Sequence, residues 1–464
     1  MHPPWKIELR ALAKLSLPVI MVQVGMMLMG FVDTMMVGHF DEAHLAAAGL
    51  GNFYSIALMM FGFGVLLALD PVMSQAVGAG DEGSITRNMQ RGVVLAVVLT
   101  FPTGIAYTFV EPVLLACGQD SGLAGLAADY VWTLIPSILP FYLFQIMRTT
   151  MQAYHRTVPV VWTILVANLV NVFLNWALIF GNLGADAMGV QGSAIATLAS
   201  RWLMLAVVLF AGRGQVWVHL TSWSRRAFET AALRRLVRVG APIGAQILLE
   251  FGAFGMTLMW MGWIHVPGLA EYSALAGHQV AINLASMTYM FPLGLSSATV
   301  VRVGNGIGRG DISGARWSAL IALVLAAVLM GIFAAIFVLF PEPLTALFTE
   351  NPDVGASQIC ILLLPIAAVF QVMDGVQVVS LGALRGVADT KAPMIINLVG
   401  FWVIGIPAGY WFAFGLGGGP EGLWWGLTVG LTVVAVSLVA RVWFKLRGEL
   451  TRTEIDREDV LDPT

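Results

Sequence analysis

The hydrophobic positions of this chain fall into about twelve long runs separated by short polar stretches. Each run is long enough to supply the roughly 20 residues that an α-helix needs to cross the hydrocarbon core of a bilayer. The runs lack the short alternating pattern of membrane β-strands, and a helix satisfies its own backbone hydrogen bonds in lipid. The pattern therefore predicts an all-α polytopic membrane protein with twelve transmembrane helices. The predicted spans are residues 11–37, 46–70, 91–113, 124–148, 158–180, 188–211, 236–264, 271–298, 315–340, 357–381, 392–414 and 421–444.

The second six runs repeat landmarks of the first six. The matched landmarks are Gly78-Ala79-Gly80-Asp81 with Gly308-Arg309-Gly310-Asp311, and Pro159, Gly181 and Gly192 with Pro393, Gly415 and Gly426. Because six is an even number, the two halves have the same orientation, and we expect an axis along the membrane normal with a cavity between them. The repeat predicts two pseudo-symmetric six-helix bundles at residues 1–212 and 236–447, a connector at 213–235 and a tail at 448–464.

The basic residues predict which side of the membrane each loop occupies. Lys6, Arg10 and Lys14 precede or open the first run, and Lys or Arg recurs in every even-numbered loop, whereas the odd-numbered loops have none. Cytoplasmic loops carry an excess of Lys and Arg, so both termini are expected in the cytoplasm. The chain is thus predicted to be a multi-pass protein of a bacterial-type inner (plasma) membrane. Arg148 and Arg201, inside the runs, are expected near the inner interface, where they snorkel or pair.

Composition narrows the class of function. Hydrophobic residues make up 58% of the 464 residues and charged residues 11%, against roughly 25% charged in soluble domains. The sequence contains no Walker-A loop, HExxH, GxSxG or Cys/His metal cluster. It therefore gives no support to ATP as a direct energy source or to enzymatic chemistry. No cofactor and no nucleic-acid partner are expected.

A few carboxylates interrupt the hydrophobic runs, and a charge in hydrocarbon requires a function or a structural partner. Asp33 lies in the outer third of helix 1, and Asn171 and Asn175 lie at similar depth on one face of helix 5. One carboxylate and two amide oxygens suit Na⁺, and the same carboxylate can take up a proton instead. No other metal site is predicted. The alternative is a hydrogen-bonded polar clasp between helices 1 and 5.

Several strings of residues resemble those of one transporter family. They are Phe31-Val32-Asp33-Thr34-Met35-Met36-Val37-Gly38, Ser74-Gln75-Ala76-Val77-Gly78-Ala79-Gly80-Asp81, Ala383-Leu384-Arg385-Gly386 and Gln371-Val372-Met373-Asp374-Gly375-Val376-Gln377. In this order and at these spacings they look like the multidrug and toxic compound extrusion (MATE) transporters. Glu250 and the string Gly277-His278-Gln279 resemble the NorM branch of that family. The resemblance covers essentially the whole chain and implies two bundles arranged as a V.

The resemblance also implies functions for the buried acids. It makes the Asp33 site a cation site, and it makes Glu250 and Asp374 a second coupling or substrate site in the C-terminal half. A carboxylate that faces a poorly hydrated cavity can also pair with a lipophilic cation. Phe370 stands where relatives often carry Tyr, so one potential oxygen ligand is missing. A purely structural role for Glu250 or Asp374 is the alternative.

A further polar group lies at the start of helix 8. His278, Gln279 and Asn283 are candidate substrate-binding residues, together with Glu250 and Asp374. The alternative for His278 is a structural one, because a lone His near the interface is more often satisfied by a hydrogen bond than used as a ligand.

Together these features predict a cation-coupled multidrug antiporter that exports amphiphilic, often cationic compounds by alternating access. The coupling ion is Na⁺ or H⁺. The expected partners are small lipophilic cations and membrane lipids, and the protein is expected to act as a monomer. One alternative is a lipid-linked precursor flippase of the same superfamily, which would usually require a strongly basic central cavity. The other is an intramembrane enzyme, which would need a nucleophile or metal constellation.

Overall fold

The computed structural model describes residues 5–184, 186–221, 223–270, 272–348 and 355–456. This part of the chain is helical and contains no β-strand, and twelve of its helices are long and apolar enough to cross a membrane. The predicted all-α fold with twelve spans is therefore confirmed. The spans, numbered α1 to α12, are Trp5–Gly38, Glu42–Gly78, Glu82–Thr108, Ser121–Ala153, Val158–Ile179, Val190–Ala211, Thr230–Met261, Ser273–Gly308, Ile312–Leu339, Gly355–Gly386, Lys391–Gly415 and Gly419–Arg447.

The repeated Gly-x-Gly-Asp string is a turn between two helices. Gly80 and Gly310 have positive φ angles of 67° and 75°, a backbone conformation that favours glycine. Asp81 and Asp311 follow them and act as N-caps of α3 and α9, where each carboxylate accepts a hydrogen bond from a backbone N–H three residues later. The same string therefore ends one helix and begins the next in both halves.

The repeated glycines Gly192 and Gly426 lie where two helices approach closely. A Cβ atom on Gly192 of α6 would meet the backbone of Leu178 in α5, and a Cβ atom on Gly426 of α12 would meet the backbone of Gly409 in α11. Around this second contact α11 changes to π-helix at Leu398–Gly405 and Trp411–Gly415. Close packing of the fifth and sixth helices thus explains why these landmarks recur.

The chain divides into two compact units that exchange segments. The N-terminal unit consists of Met21–Gly244 and Thr453–Thr464, and the C-terminal unit consists of Met1–Ile20 and Ala245–Arg452. The part of α1 up to Ile20 therefore belongs to the C-terminal unit, and the rest belongs to the N-terminal unit. The part of α7 up to Gly244 belongs to the N-terminal unit, and the rest belongs to the C-terminal unit. The domain boundaries drawn from the sequence stay predictions. They do not separate these segments, because a repeat locates copies of a pattern and not the partners on which they pack.

Polar contacts hold the first segment of α1 in the C-terminal unit. The buried Glu8 carboxylate accepts hydrogen bonds from Arg302 Nε at 2.9 Å, Arg302 NH2 at 2.5 Å and Ser318 Oγ at 2.6 Å. Leu12 packs in the same unit against Leu295 and its neighbours. An ion pair and an apolar contact thus fix this segment on the second half of the chain.

The connector and the tail add short elements to the N-terminal unit. The connector contains a helix at Arg213–Thr221 and a 3₁₀ turn at Arg225–Phe228. In the tail, the Thr453 backbone N–H donates to Gln75 Oε1 at 2.7 Å, and the Ile455 side chain is buried in the core of the unit. Asp456 forms ion pairs with Arg87 and Arg91 at 2.7 and 2.5 Å. Residues 457–464 of the predicted tail lie outside the described residues.

Candidate functional site

Asp33 is the centre of a buried polar cluster in the N-terminal unit. Asn175 Nδ2 of α5 donates a hydrogen bond to Asp33 Oδ1 at 2.5 Å and lies 3.2 Å from Asn171 Oδ1, one helical turn away. Thr197 Oγ1 of α6 donates to Asp33 Oδ2 at 2.7 Å. The structure thus brings together the three residues that the sequence placed at similar depth, and it adds Thr197.

The sequence analysis did not identify Thr197, but a signal for it exists. Ser193, Thr197 and Arg201 are spaced four residues apart along α6 and therefore lie on one face of a predominantly apolar helix. Such a polar stripe in a hydrophobic run indicates a face directed to the interior of the bundle. The stripe alone does not show that α6 packs against α1.

Two amide atoms of the Asp33 cluster have no hydrogen-bond partner among the residues that the structure describes. They are Asn175 Oδ1 and Asn171 Nδ2, both buried. Buried polar atoms are normally satisfied, so such exceptions require an explanation. Rotation of an amide exchanges the positions of its oxygen and nitrogen. The cluster can therefore present carboxylate, amide and hydroxyl oxygens to one small cation, or a carboxylate to one proton.

Arg201 lies at the middle of α6, which spans Val190–Ala211. This corrects the expectation that it lies near the inner end of its helix. Arg148 is buried nearer the end of α4, where its NH1 donates to Gln23 Oε1 at 3.0 Å. The difference arises because the length of a hydrophobic run gives the depth of a residue only coarsely.

Glu250 and Asp374 lie together in the C-terminal unit. Asp374 of α10 is buried, Glu250 of α7 is half-buried, and the two carboxylates are close enough to interact electrostatically. Glu250 also interacts with Arg385 and lies beside Gln377. Two acids in a medium of low dielectric constant repel each other strongly unless a cation lies near them. The pair therefore favours either a bound cation or a proton.

Two glutamines add unsatisfied polar atoms to this region. Within the described part of the chain, both amide atoms of Gln377 and Gln371 Nε2 are buried without a hydrogen-bond partner. Gln371 Oε1 accepts a hydrogen bond from Thr288 Oγ1 at 2.8 Å. Gln377 follows Asp374 by three residues and so shares its helix face. This spacing is the sequence signal that could have added Gln377 to the candidate residues.

Phe370 is part of an aromatic cluster and brings no oxygen to the acid pair. Its ring contacts Trp424 and Phe254 edge-on, with centroids 5.7 and 6.0 Å apart. The missing hydroxyl noted in the sequence is thus replaced by apolar packing.

The three polar residues at the start of α8 do not form one group. Trp424 Nε1 donates a hydrogen bond to His278 Nδ1 at 3.1 Å, and both side chains are buried. Gln279 is exposed in an open apolar groove with Leu258 and Met259, and Asn283 is half-buried. The contact with Trp424 uses one ring nitrogen of His278, which supports the structural alternative for that residue.

Twelve spanning helices in two repeated halves, each with a buried group of acids and amides, are the architecture of a secondary transporter. The MatE family model matches the chain twice, at residues 18–177 and 242–411. The chain therefore belongs to this family, the MATE transporters. The two matches begin 224 residues apart, which is also the separation of Pro18 and Pro242. They end 234 residues apart, which is also the separation of Gly192 and Gly426.

Curated relatives and solved structures agree with this assignment. The chain is 34% identical over 467 residues to the probable multidrug resistance protein NorM of Pseudomonas putida, with 99% of each chain covered. It is 32% identical over 456 residues to the multidrug resistance protein MdtK of Pectobacterium atrosepticum, with 96% of this chain and 97% of the relative covered. The fold matches the eukaryotic MATE transporter AtDTX14 with a TM-score of 0.86 at 24% identity, covering 95% and 98% of the two chains. The NorM-like resemblance is confirmed.

Proposed function

We propose that this chain is a cation-coupled multidrug antiporter that exports amphiphilic, often cationic compounds. Inward movement of Na⁺ or H⁺ would drive export across a bacterial inner membrane by alternating access. The multidrug names of the NorM and MdtK relatives support the substrate class. The basic residues of the even-numbered loops support an orientation with both termini in the cytoplasm. Membrane lipids surround the carrier, which acts as a monomer without a cofactor.

The observation that carries this proposal is the Asp33 cluster. A carboxylate held on both oxygens, beside buried amide atoms without partners, is a site that gains a partner when a small cation enters. Binding of the ion drives a conformational change only if the ion prefers one conformation to the other. Asp33 belongs to α1 and its donors to α5 and α6, so an ion there changes the attraction between these helices.

Glu250 and Asp374 are the proposed second site. Their paired negative charge suits an organic cation in a poorly hydrated space, and Gln377 offers hydrogen bonds beside them. Asn283 and Gln279 remain candidate contacts for the apolar body of the substrate. Competition between substrate and coupling ion for one acid pair would couple their movements.

The proposal is tested in proteoliposomes that contain the purified protein. Export of ethidium is measured with a Na⁺ gradient and a pH gradient imposed separately, which also identifies the coupling ion. Asp33→Asn should reduce gradient-driven export at least tenfold at equal protein abundance. Asp41→Asn is the control, because Asp41 caps α2 and Asn caps a helix equally well. Unchanged export by Asp33→Asn would remove Asp33 from the coupling role, and a flippase or enzyme should export no ethidium at all.

A further inference from the structure

Arg201 is a charged side chain at the middle of a membrane-spanning helix. A guanidinium at this depth is costly and normally pairs with a carboxylate. Within the described residues, no carboxylate oxygen lies within salt-bridge distance of Arg201. Its positive charge is therefore not neutralised by direct contact, whereas Arg91 and Arg302 form ion pairs with Asp456 and Glu8.

Neutral groups hold the guanidinium of Arg201 in place. Its NH1 donates a hydrogen bond to Ser137 Oγ at 2.8 Å and lies 3.8 Å from Met59 Sδ. The guanidinium carbon lies 5.2 Å from the ring centroid of Phe141, a cation–π arrangement. These contacts fix the position of the charge without cancelling it.

The fixed charge acts on Asp33 through space. Arg201 follows Thr197 by four residues on the same face of α6, and Thr197 donates a hydrogen bond to Asp33. Arg201 is near enough to Asp33 for their charges to interact, but among the described residues no hydrogen bond or ion pair joins the two side chains. In the low-dielectric interior of the bundle such an interaction is weakly screened.

We propose that Arg201 is a tethered countercharge that sets how tightly the Asp33 site holds its coupling cation. This inference rests on the proposed coupling function of Asp33. A cation that enters the site is repelled by Arg201, so it binds less tightly and leaves faster on the opposite side of the membrane. When the site is empty, Asp33 and Arg201 together carry no net charge, which reduces the cost of moving the empty carrier between conformations. Arg201 is a positioning residue, since it does not touch the ion.

The test compares Arg201→Met and Arg201→Lys in proteoliposomes that export ethidium. The measured quantity is the coupling-ion concentration that gives half-maximal export, with Na⁺ and pH varied separately. Arg201→Met should lower this concentration about tenfold, equivalent to about 1.4 kcal/mol, and should lower the maximal rate. Arg201→Lys keeps the positive charge and should shift this concentration less than Arg201→Met does. Equal half-maximal concentrations for all three proteins would overturn the inference.

A second variant, Ser137→Ala, should shift the half-maximal ion concentration in the direction opposite to Arg201→Met. Ser137→Ala removes the hydroxyl that holds the guanidinium, so Arg201 can approach Asp33 and compete more strongly with the ion. The half-maximal ion concentration should then rise. This variant keeps the inference testable if Arg201→Met does not accumulate in the membrane, and a fall or no change in Ser137→Ala would contradict it.

The double variant Asp33→Asn/Arg201→Met separates this inference from the proposed function. If Asp33 couples the ion, Asp33→Asn abolishes the ion dependence and Arg201→Met adds nothing to it. A parent-like ion dependence in Asp33→Asn alone would refute the coupling role of Asp33. Loss of ion dependence in Asp33→Asn, with no effect of Arg201→Met in the otherwise native chain, would refute only the role of Arg201.

Discussion

Thr197 Oγ1 donates a hydrogen bond to Asp33 Oδ2 at 2.7 Å, although 164 residues separate the two along the chain. Asn175 holds the other carboxylate oxygen. The acid on α1 is therefore held between α5 and α6, and both of its oxygens are used. An ion that enters the cluster can use the remaining lone pairs of the two carboxylate oxygens.

The Thr197 hydroxyl is expected to matter for ion coupling. Thr197→Val keeps the shape of the side chain and removes the hydroxyl, and a hydrogen bond to a charged group contributes about 1.5–3 kcal/mol. If Na⁺ is the coupling ion, an oxygen ligand is lost, and the half-maximal Na⁺ concentration for ethidium export should rise about tenfold. If H⁺ is the coupling ion, loss of the donor should make the carboxylate hold the proton more tightly. Thr197→Ser should resemble the parent protein, and identical kinetics of the Val variant would contradict a role for Thr197.

The close approaches at Gly192 and Gly426 predict two destabilising substitutions. An added Cβ would meet the backbone of Leu178 or of Gly409, and overpacking of this kind costs about 1–3 kcal/mol. Gly192→Ala and Gly426→Ala should each lower the thermal unfolding temperature of the detergent-purified protein. Gly331→Ala is the matched control, because no atom lies within 4 Å of its added Cβ. Unfolding temperatures equal to that of the control would exclude the close-packing explanation.

The contact between Trp424 and His278 predicts a loss of stability. Trp424→Phe removes the indole N–H and leaves His278 Nδ1 buried without a donor, which costs about 1–3 kcal/mol. The unfolding temperature should fall, while the half-maximal ethidium concentration of the folded carrier stays unchanged. The reverse result, with a shifted ethidium concentration and normal stability, would return His278 to the substrate site.

The tail contact predicts a pH dependence outside the membrane-spanning segments. Burial tends to raise the pKa of Asp456, but the hydrogen bonds and charges of Arg91 and Arg87 outweigh it and hold the pKa below its usual 3.8. A carboxyl whose pKa is depressed on docking stabilises the docked state above its ordinary pKa, and this stabilisation is lost as pH falls through the depressed value. The tail should therefore stay docked at neutral pH and release only at pH below about 4.

Hydrogen exchange at Thr453 and Ile455 measures this docking. Both amides should be protected in the parent protein at neutral pH, and Asp456→Asn should reduce their protection. Arg87→Gln removes the more exposed of the two cationic partners and should have a smaller effect than Asp456→Asn, because Arg91 remains. Equal protection in Asp456→Asn and the parent protein would show that the ion pairs do not hold the tail.

The number and order of the helices could be predicted from the sequence, but many contacts of the candidate site could not. The length of the hydrophobic runs predicted the twelve helices, and the joint motifs predicted the NorM-like family. The four-residue spacing of Asn171 and Asn175 placed both beside Asp33, because helix geometry and depth are local properties. The hydrogen bonds from Thr197 and Trp424 depend on which helix faces are in contact. A hydrophobic run that contains a single polar residue does not show which neighbouring helix that residue faces.

The same limit explains the segments that the two units exchange. Glu8 and Leu12 lie on α1, which continues into the other unit after Ile20, and nothing in their local sequence shows where that transfer occurs. The partners Arg302 and Ser318 lie about 300 residues away along the chain. Long-range pairing of this kind requires either a structure or an alignment of many relatives.

Leu236 and Val239 belong to the second half of the sequence, yet they are buried in the core of the N-terminal unit. A six-helix ancestor with this architecture would have lacked part of its own core as a separate chain. It would have needed a second copy to supply that part, as in a domain-swapped homodimer. Gene fusion would then have made the exchange permanent within one polypeptide. The two halves are no longer identical in their acids, because Asp33 lies in the first and Glu250 and Asp374 lie in the second.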